Sequence, residues 1–135
     1  MYEFFDHTAD LGLRVRSDSL EGLLEDAARG LLAMIVENPP EGRGRNVEIR
    51  IDGERRDYLL FDWLNEILYR FDSERTILGD FTVRLDEGGL TASARAERLD
   101  DSRHRLVREV KAITYHQLKV ERTPEGWLAE LIVDI

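Results

Sequence analysis

Acidic and imidazole side chains crowd one short stretch near the start of the sequence. Asp6, His7 and Asp10 fall within five residues and lie just ahead of Gly12. Carboxylates and an imidazole at this spacing can hold a metal ion or form a proton-transfer pair. The same stretch can instead be a capped turn, because Asp and Thr side chains, here including Thr8, readily bond their own backbone. Both interpretations stay open at this point.

A second acidic group lies at the other end of the sequence. Asp134 is the next-to-last residue, so its side chain and the terminal carboxylate of Ile135 are close neighbours. Two anionic groups at the end of a strand repel each other unless a cation intervenes. A hard divalent ion would suit these oxygen atoms. The alternative is a solvated, frayed terminus, but the regular alternation of Trp127–Ile135 favours a fixed end.

Two further segments carry residue types that can serve a function. If residues 110–120 form one strand, His116 shares a mostly apolar face with Thr114. A histidine in that position is more often a hydrogen-bonded core residue than a ligand. The basic residues between Arg95 and Lys111 form either a solvated hairpin face or an anchor for an acidic or phosphate-bearing partner.

The elements that must position these residues follow from the hydrophobic period. Apolar residues alternate with polar ones in Leu11–Val15 and again in Trp127–Ile135, which predicts half-buried strands. Asp18 and Glu21 have the spacing of a capping box and precede a helical pattern, and Asp57 opens a second helix. We therefore predict an α+β fold in which two helices pack on a mixed β-sheet, in the order β-α-β-α-β-β-β-β.

Composition limits the class of protein. A chain of 135 residues fits a single domain, residues 1–135. Its net charge of −9 argues against nucleic-acid binding by counterion release, so we expect direct binding to be weak or absent. Without cysteine there is no disulfide, zinc–thiolate site or thiol nucleophile. The apolar runs are shorter than a membrane span and no signal peptide is visible, so we expect a soluble, cytoplasmic protein.

Four stretches together resemble the archease family, whose members assist the GTP-dependent RNA ligase of tRNA splicing. The stretches are Phe5–Gly12, Asp62–Tyr69, Lys111–His116 and Val133–Ile135, in this order along the whole chain. The resemblance implies the fold order given above and a bound divalent cation, usually described as calcium. It also implies that the protein is not itself an enzyme but activates the ligase, by speeding its guanylylation and supporting multiple turnover.

Carried over residue by residue, the resemblance places the metal ligands on Asp10, Asp134 and the main-chain oxygen of Ile135. His7 and His116 lie in matching stretches and are expected only near the site. A different class of function is a metal-dependent phosphoester hydrolase that uses Asp10, His7 and His116. A third is a chaperone or RNA-binding adaptor. The lack of a complete catalytic set disfavours the hydrolase, and the negative charge disfavours direct RNA binding.

Overall fold

A computed structural model describes residues 1–7 and 9–135 of the chain. Its elements are β1 (Tyr2–His7), β2 (Asp10–Ser17), α1 (Leu20–Ile35), β3 (Arg45–Asp52), α2 (Arg56–Glu74), β4 (Thr76–Asp86), β5 (Gly89–Arg98), β6 (Ala112–Ile113), β7 (Lys119–Thr123) and β8 (Gly126–Asp134). One sheet has the order β1-β2-β8, with β6 and β7 both paired to the far side of β8. The other has the order β3-β5-β4. The predicted α+β class and its two helices are confirmed.

Two differences from the prediction concern the sheets and the first strand. They form two sheets whose pairs are all antiparallel, where we predicted a single mixed sheet. A strand, β1, also precedes the first predicted one. Its alternation is hidden because Phe5 points to the outer face while Tyr2 and Phe4 point to the helix side, so aromatic residues lie on both faces. None of the helices within the described residues is long and apolar enough to be a membrane span.

Both sheets share one core with the helices. Helix α1 packs against β2 of the first sheet and β4 of the second, and α2 packs against α1 and β4. Trp63 of α2 is fully buried and donates its indole N–H to the main-chain oxygen of Leu24 in α1, at 3.0 Å. On the core face of β2 and β8, Leu13, Val15 and Leu131 are fully buried. The opposite, outer face of these strands is therefore the one that carries their polar side chains.

The first helix begins differently from the prediction. The prediction of a capping box formed by Asp18 and Glu21 is wrong. The N-cap residue is Ser19, whose hydroxyl accepts the N–H of Gly22 at 3.0 Å. The carboxylate of Glu21 instead reaches the second sheet and accepts the main-chain N–H of Leu85 at 2.8 Å. Glu25, one turn later, accepts the N–H of Val83 at the same distance. These two carboxylates thus occupy main-chain donors along the outer edge of β4.

The segment between β6 and β7 is not one continuous strand. Residues 114–118 lie opposite only two residues of β8, because Ile113 pairs with Val133 and Lys119 pairs with Glu130. The chain accommodates the excess by looping outward, with Gln117 in the left-handed region at a φ of 58°. The proposed shared face of residues 110–120 is therefore wrong.

Candidate functional site

Strand pairing brings the two predicted carboxylates together. Asp10 of β2 lies directly opposite Asp134 of β8, and His7 of β1 lies directly opposite Asp10. Ala112 of β6 lies opposite Asp134 on its other side. Residues directly opposite each other on antiparallel strands project to the same face, with Cβ atoms ~5 Å apart. Hence His7, Asp10 and Asp134 form one row across the outer face of the sheet, which we call the carboxylate site.

Both histidines lie at this site. The Nδ1 atom of His7 is 3.5 Å from a carboxylate oxygen of Asp10. This Nδ1 is a buried polar atom with no hydrogen-bond partner among the described residues. The ring of His116 lies edge-on to that of His7, with 6.3 Å between centroids. His116 is exposed on the looped segment, so it is not a core residue. Thr8, which the capped-turn interpretation would use, lies outside the described residues.

The last strand, β8, is held in place at its acidic end. Asp134 is paired with β2 on one side and β6 on the other, and its main-chain oxygen accepts the N–H of Lys111 at 2.8 Å. Ile135 is partly buried and packs against the core. The strand is therefore paired as far as Asp134, and its end is not frayed. The main-chain oxygen of Ile135, directly after this anchored residue, stays the predicted main-chain ligand.

The donor set fits a hard cation in type. Asp10 and Asp134 supply carboxylate oxygens and Ile135 can supply a main-chain oxygen, which are the ligands that Ca²⁺ prefers. In residues 1–7 and 9–135, however, no three His, Asp or Glu side chains are grouped closely enough to hold a metal ion. A cation here would thus depend on main-chain oxygen, and on water or a partner, to complete its coordination.

A close contact between an aromatic ring and a glycine lies next to the carboxylate site, on the same face of the sheet. Phe5 of β1 lies opposite Gly12 of β2, and a Cβ atom on Gly12 would come within 2.3 Å of the Phe5 ring. Any side chain at position 12 would therefore displace the ring. The guanidinium of Arg14 lies 4.6 Å from the ring centroid and pairs with Glu3 and Glu130. Sequence analysis missed this contact, although Phe5 and Gly12 both lie in a stretch that it singled out.

Sequence analysis also missed an aromatic cluster beside the site. The rings of Tyr58 and Tyr115 are 5.4 Å apart, and Phe61 lies edge-on to Tyr115 at 5.3 Å. Tyr115 donates its hydroxyl to Asp57 at 2.9 Å. Arg55 pairs with the same carboxylate at 2.8 Å, and its guanidinium lies 4.3 Å from the Tyr58 ring centroid. The members come from α2 and the looped segment, so sequence spacing gives no signal for them.

The charges in this cluster reinforce one another. Burial and the hydrogen bond to Asp57 raise the pKa of Tyr115 above its ordinary value. Partial burial opposes the charge of Asp57, but the hydrogen bonds from Tyr115 and Arg55 outweigh it and lower the pKa of that carboxyl. The phenol is therefore protonated and the carboxylate ionised at neutral pH, which makes their hydrogen bond charge-assisted.

The basic residues from Arg95 to Lys111 do not form a single face. Arg103 pairs with the buried carboxylate of Glu97, and Arg108 donates to a main-chain oxygen at the end of α1, at 3.0 Å. Arg105 is largely exposed and pairs with a glutamate at 3.4 Å. Part of this run therefore fastens the segment after β5 to the body of the protein.

The chain is similar over nearly its whole length to known proteins. The model of the archease protein family (MTH1598/TM1083) matches residues 2–135. The chain is 40% identical to protein archease of Pyrococcus abyssi, over 99% of this chain and 98% of the relative. It is 39% identical to protein archease of Methanopyrus kandleri, over 99% of each. The solution structure of Methanobacterium thermoautotrophicum protein 1598 is similar, with a TM-score of 0.85 and 32% identity, over 99% of this chain and 98% of that one.

Proposed function

Because the chain belongs to the archease family, we propose that it is a non-catalytic activator of the GTP-dependent RNA ligase of tRNA splicing. It speeds guanylylation of the ligase and supports multiple turnover. The observation that carries this proposal is the register that sets Asp10 opposite Asp134 on an outer sheet face. Two carboxylates on such a face are accessible to a partner protein, which suits an activator better than an enclosed active site would.

The carboxylate site would hold a divalent cation, and we take calcium as the ion. Asp10, Asp134 and the main-chain oxygen of Ile135 are the proposed ligands. When bound, the ion neutralises the two carboxylates and offers further coordination positions to oxygen atoms of a partner. The buried Nδ1 of His7 lies 3.5 Å from the Asp10 carboxylate, close enough to hydrogen-bond it after a small adjustment. Lys111 and β6 hold the main chain at Asp134 in place.

The proximity of the His7, Asp10 and His116 side chains favours a second candidate function, a metal-dependent phosphoester hydrolase. An imidazole in contact with a carboxylate is a typical general base. The two candidates differ in what the isolated protein does. Incubation with phosphomonoester and phosphodiester substrates and a divalent metal yields turnover only for the hydrolase. An activator is silent alone and stimulates an added ligase.

The test of the activator is ligase guanylylation, followed as GMP incorporation from labelled GTP, with Asp134→Ala compared with the unaltered chain. We expect Asp134→Ala to abolish most of the stimulation while circular dichroism shows a folded protein. Asp6→Ala is the matched control. Asp6 is an exposed carboxylate on the neighbouring strand, but its side chain leaves the opposite face from the carboxylate site. Full stimulation by a folded Asp134→Ala protein would remove the site from the mechanism.

A further inference from the structure

The first strand, β1, forms the outer edge of its sheet, and its hydrogen-bond pattern shows which main-chain groups face outward. The N-terminal ammonium of Met1 donates to the main-chain oxygen of Arg16, and the N–H of Arg16 donates to that of Met1, both at 2.8 Å. In an antiparallel ladder, pairs that exchange two such bonds alternate with pairs that exchange none. The register of β1 on β2 therefore turns the N–H and C=O groups of Tyr2, Phe4 and Asp6 away from the sheet.

This edge of β1 is open to a further strand. Within the part of the chain that the structure describes, no loop or side chain bonds these outward-facing groups. Tyr2 is 37% exposed and Phe4 38% exposed, and their ring centroids are 5.8 Å apart. The outer edge of β4 differs, because Glu21 and Glu25 occupy its main-chain donors. An exposed edge with aromatic side chains and no side-chain guard is suited to pairing with another chain.

The outward-facing groups of β1 are complementary to a second copy of β1. Alternating N–H and C=O groups along an edge are satisfied by an extended chain. Two copies related by a two-fold axis run antiparallel, and an axis at Phe4 sets the two Phe4 residues opposite each other. Tyr2 of each copy then faces Asp6 of the other. All three outward-facing residues of both copies are paired in this register.

Charge selects the same register. With Phe4 on the axis, Glu3 of one copy faces Phe5 of the other, so no two carboxylates are directly opposed. A register that sets Tyr2 against Phe4 would bring the two Glu3 side chains together, and like charges directly opposite each other are destabilising. A register that sets Phe4 against Asp6 leaves Tyr2 beyond the end of the opposite strand, which stops at His7.

We propose that two copies of this chain associate through their β1 edges, with Phe4 on the two-fold axis, and join their β1-β2-β8 sheets into one continuous sheet. Each copy has a single β1 edge, so the assembly closes as a dimer. Pairing at the edge uses main-chain atoms and leaves the outer face free, so the carboxylate site stays accessible. The dimer therefore does not depend on the proposed activator function.

The first test is sedimentation of the full chain over a range of concentrations. We expect a reversible monomer–dimer equilibrium that is tighter at about 1 M salt than at about 0.05 M, because each copy carries a net charge of −9. Phe4→Pro removes an N–H that faces away from β2, which an edge strand tolerates. It should raise the dissociation constant about tenfold or more. Phe4→Ala should raise it less, and Tyr69→Ala, which removes an exposed tyrosine from α2, should not change it.

The second test reads the register directly. The chain has no cysteine, so an introduced cysteine reports a single contact. Directly opposite residues that exchange hydrogen bonds have Cα atoms ~5.5 Å apart, which is within the range that a disulfide spans. Phe4→Cys should therefore cross-link to itself in air. Tyr2→Cys should not, because the two copies of position 2 lie ~13 Å apart along the strands. A mixture of Tyr2→Cys and Asp6→Cys chains should cross-link.

Contrary results are as specific. A chain that stays monomeric at about 1 mM in high salt would overturn the proposal. So would a dimer that Phe4→Pro leaves intact, or cross-linking of Tyr2→Cys alone as fast as that of Phe4→Cys. Hydrogen-exchange protection of residues 2–6 that appears only after the ligase is added would assign the edge to another protein and equally overturn the dimer. If Phe4→Pro does not fold, the cysteine variants decide the case.

Discussion

Replacing Gly12 by alanine tests the contact that fixes β1 beside the carboxylate site. The backbone at Gly12 is not left-handed, so alanine fits the strand itself and the whole effect comes from the new methyl group. That carbon would lie 2.3 Å from the Phe5 ring, far inside van der Waals contact. The ring must move away, which costs about 1–3 kcal/mol as overpacking and about 0.5–1 kcal/mol for its interaction with Arg14. We expect the free energy of unfolding to fall by about 1.5–4 kcal/mol in total.

The assay is thermal and urea unfolding of Gly12→Ala, Phe5→Ala and the double variant. At about 3–5 °C per kcal/mol for a chain of this length, Gly12→Ala lowers the Tm by ~5–20 °C. Once Phe5 is alanine there is no ring to displace. Gly12→Ala is then neutral or slightly stabilising, because alanine reduces the entropy of the unfolded chain. The two substitutions are therefore non-additive by at least about 1 kcal/mol. An equal cost of Gly12→Ala in both backgrounds would refute the steric explanation.

Three further predictions concern charge. Millimolar calcium should raise the Tm of the unaltered chain, because a cation at about 100 times its Kd adds about 2.7 kcal/mol to the free energy of unfolding. The Tm of Asp134→Ala should be the same in calcium as in chelator when both are measured by calorimetry. The pKa of Asp86 is lowered from 3.8 to about 2 by its arginine partner across the sheet. The depressed pKa means that its contribution is complete above about pH 4 and is lost as the pH falls towards 2, so Asp86→Asn should flatten acid unfolding in that window. Arg103→Glu should cost about 1–3 kcal/mol in urea unfolding because it replaces a cation beside buried Glu97 with a like charge, which leaves only Arg43 and His104 near that carboxylate, whereas Arg105→Glu should cost little.

Each of these has a contrary result. Equal Tm values in calcium and in chelator would remove the cation from the carboxylate site. Parallel acid-unfolding curves for Asp86→Asn and the unaltered chain would mean that the ion pair does not form in solution. Equal stability of the Arg103→Glu and Arg105→Glu variants would show that the segment after β5 does not depend on the pair with Glu97.

The parts of the fold that follow from hydrophobic period could be predicted, and those that depend on extra residues or on tertiary neighbours could not. Strands β2 and β8 and both helices were found because each buries one regular face. The loop at residues 114–118 produces no hydrophobic period in the sequence. Its length is set by the registers in which β6 and β7 pair with β8. Its exposure of His116 could not be inferred for the same reason.

The candidate site was predictable only in part. Asp10 and Asp134 were singled out by residue type at the two ends of the chain, and their pairing required the antiparallel register of β2 and β8. Tyr58 and Tyr115 are far apart in sequence and belong to different elements, so only the packing of α2 against the looped segment joins them. The ligand roles of the carboxylates stay predictions.

The two glutamates that α1 extends to β4 bear on how the protein behaves when it is concentrated. A strand at the edge of a sheet offers unpaired N–H groups to any passing chain, and this is a route to aggregation. Glu21 and Glu25 occupy the N–H groups of Leu85 and Val83 with side-chain carboxylates, which accept a hydrogen bond but cannot continue a ladder. A substitution at either position would resemble a harmless change on a helix surface. It would in fact leave a main-chain N–H of an edge strand without its partner, and unpartnered edge groups of this kind are where intermolecular β-pairing can begin.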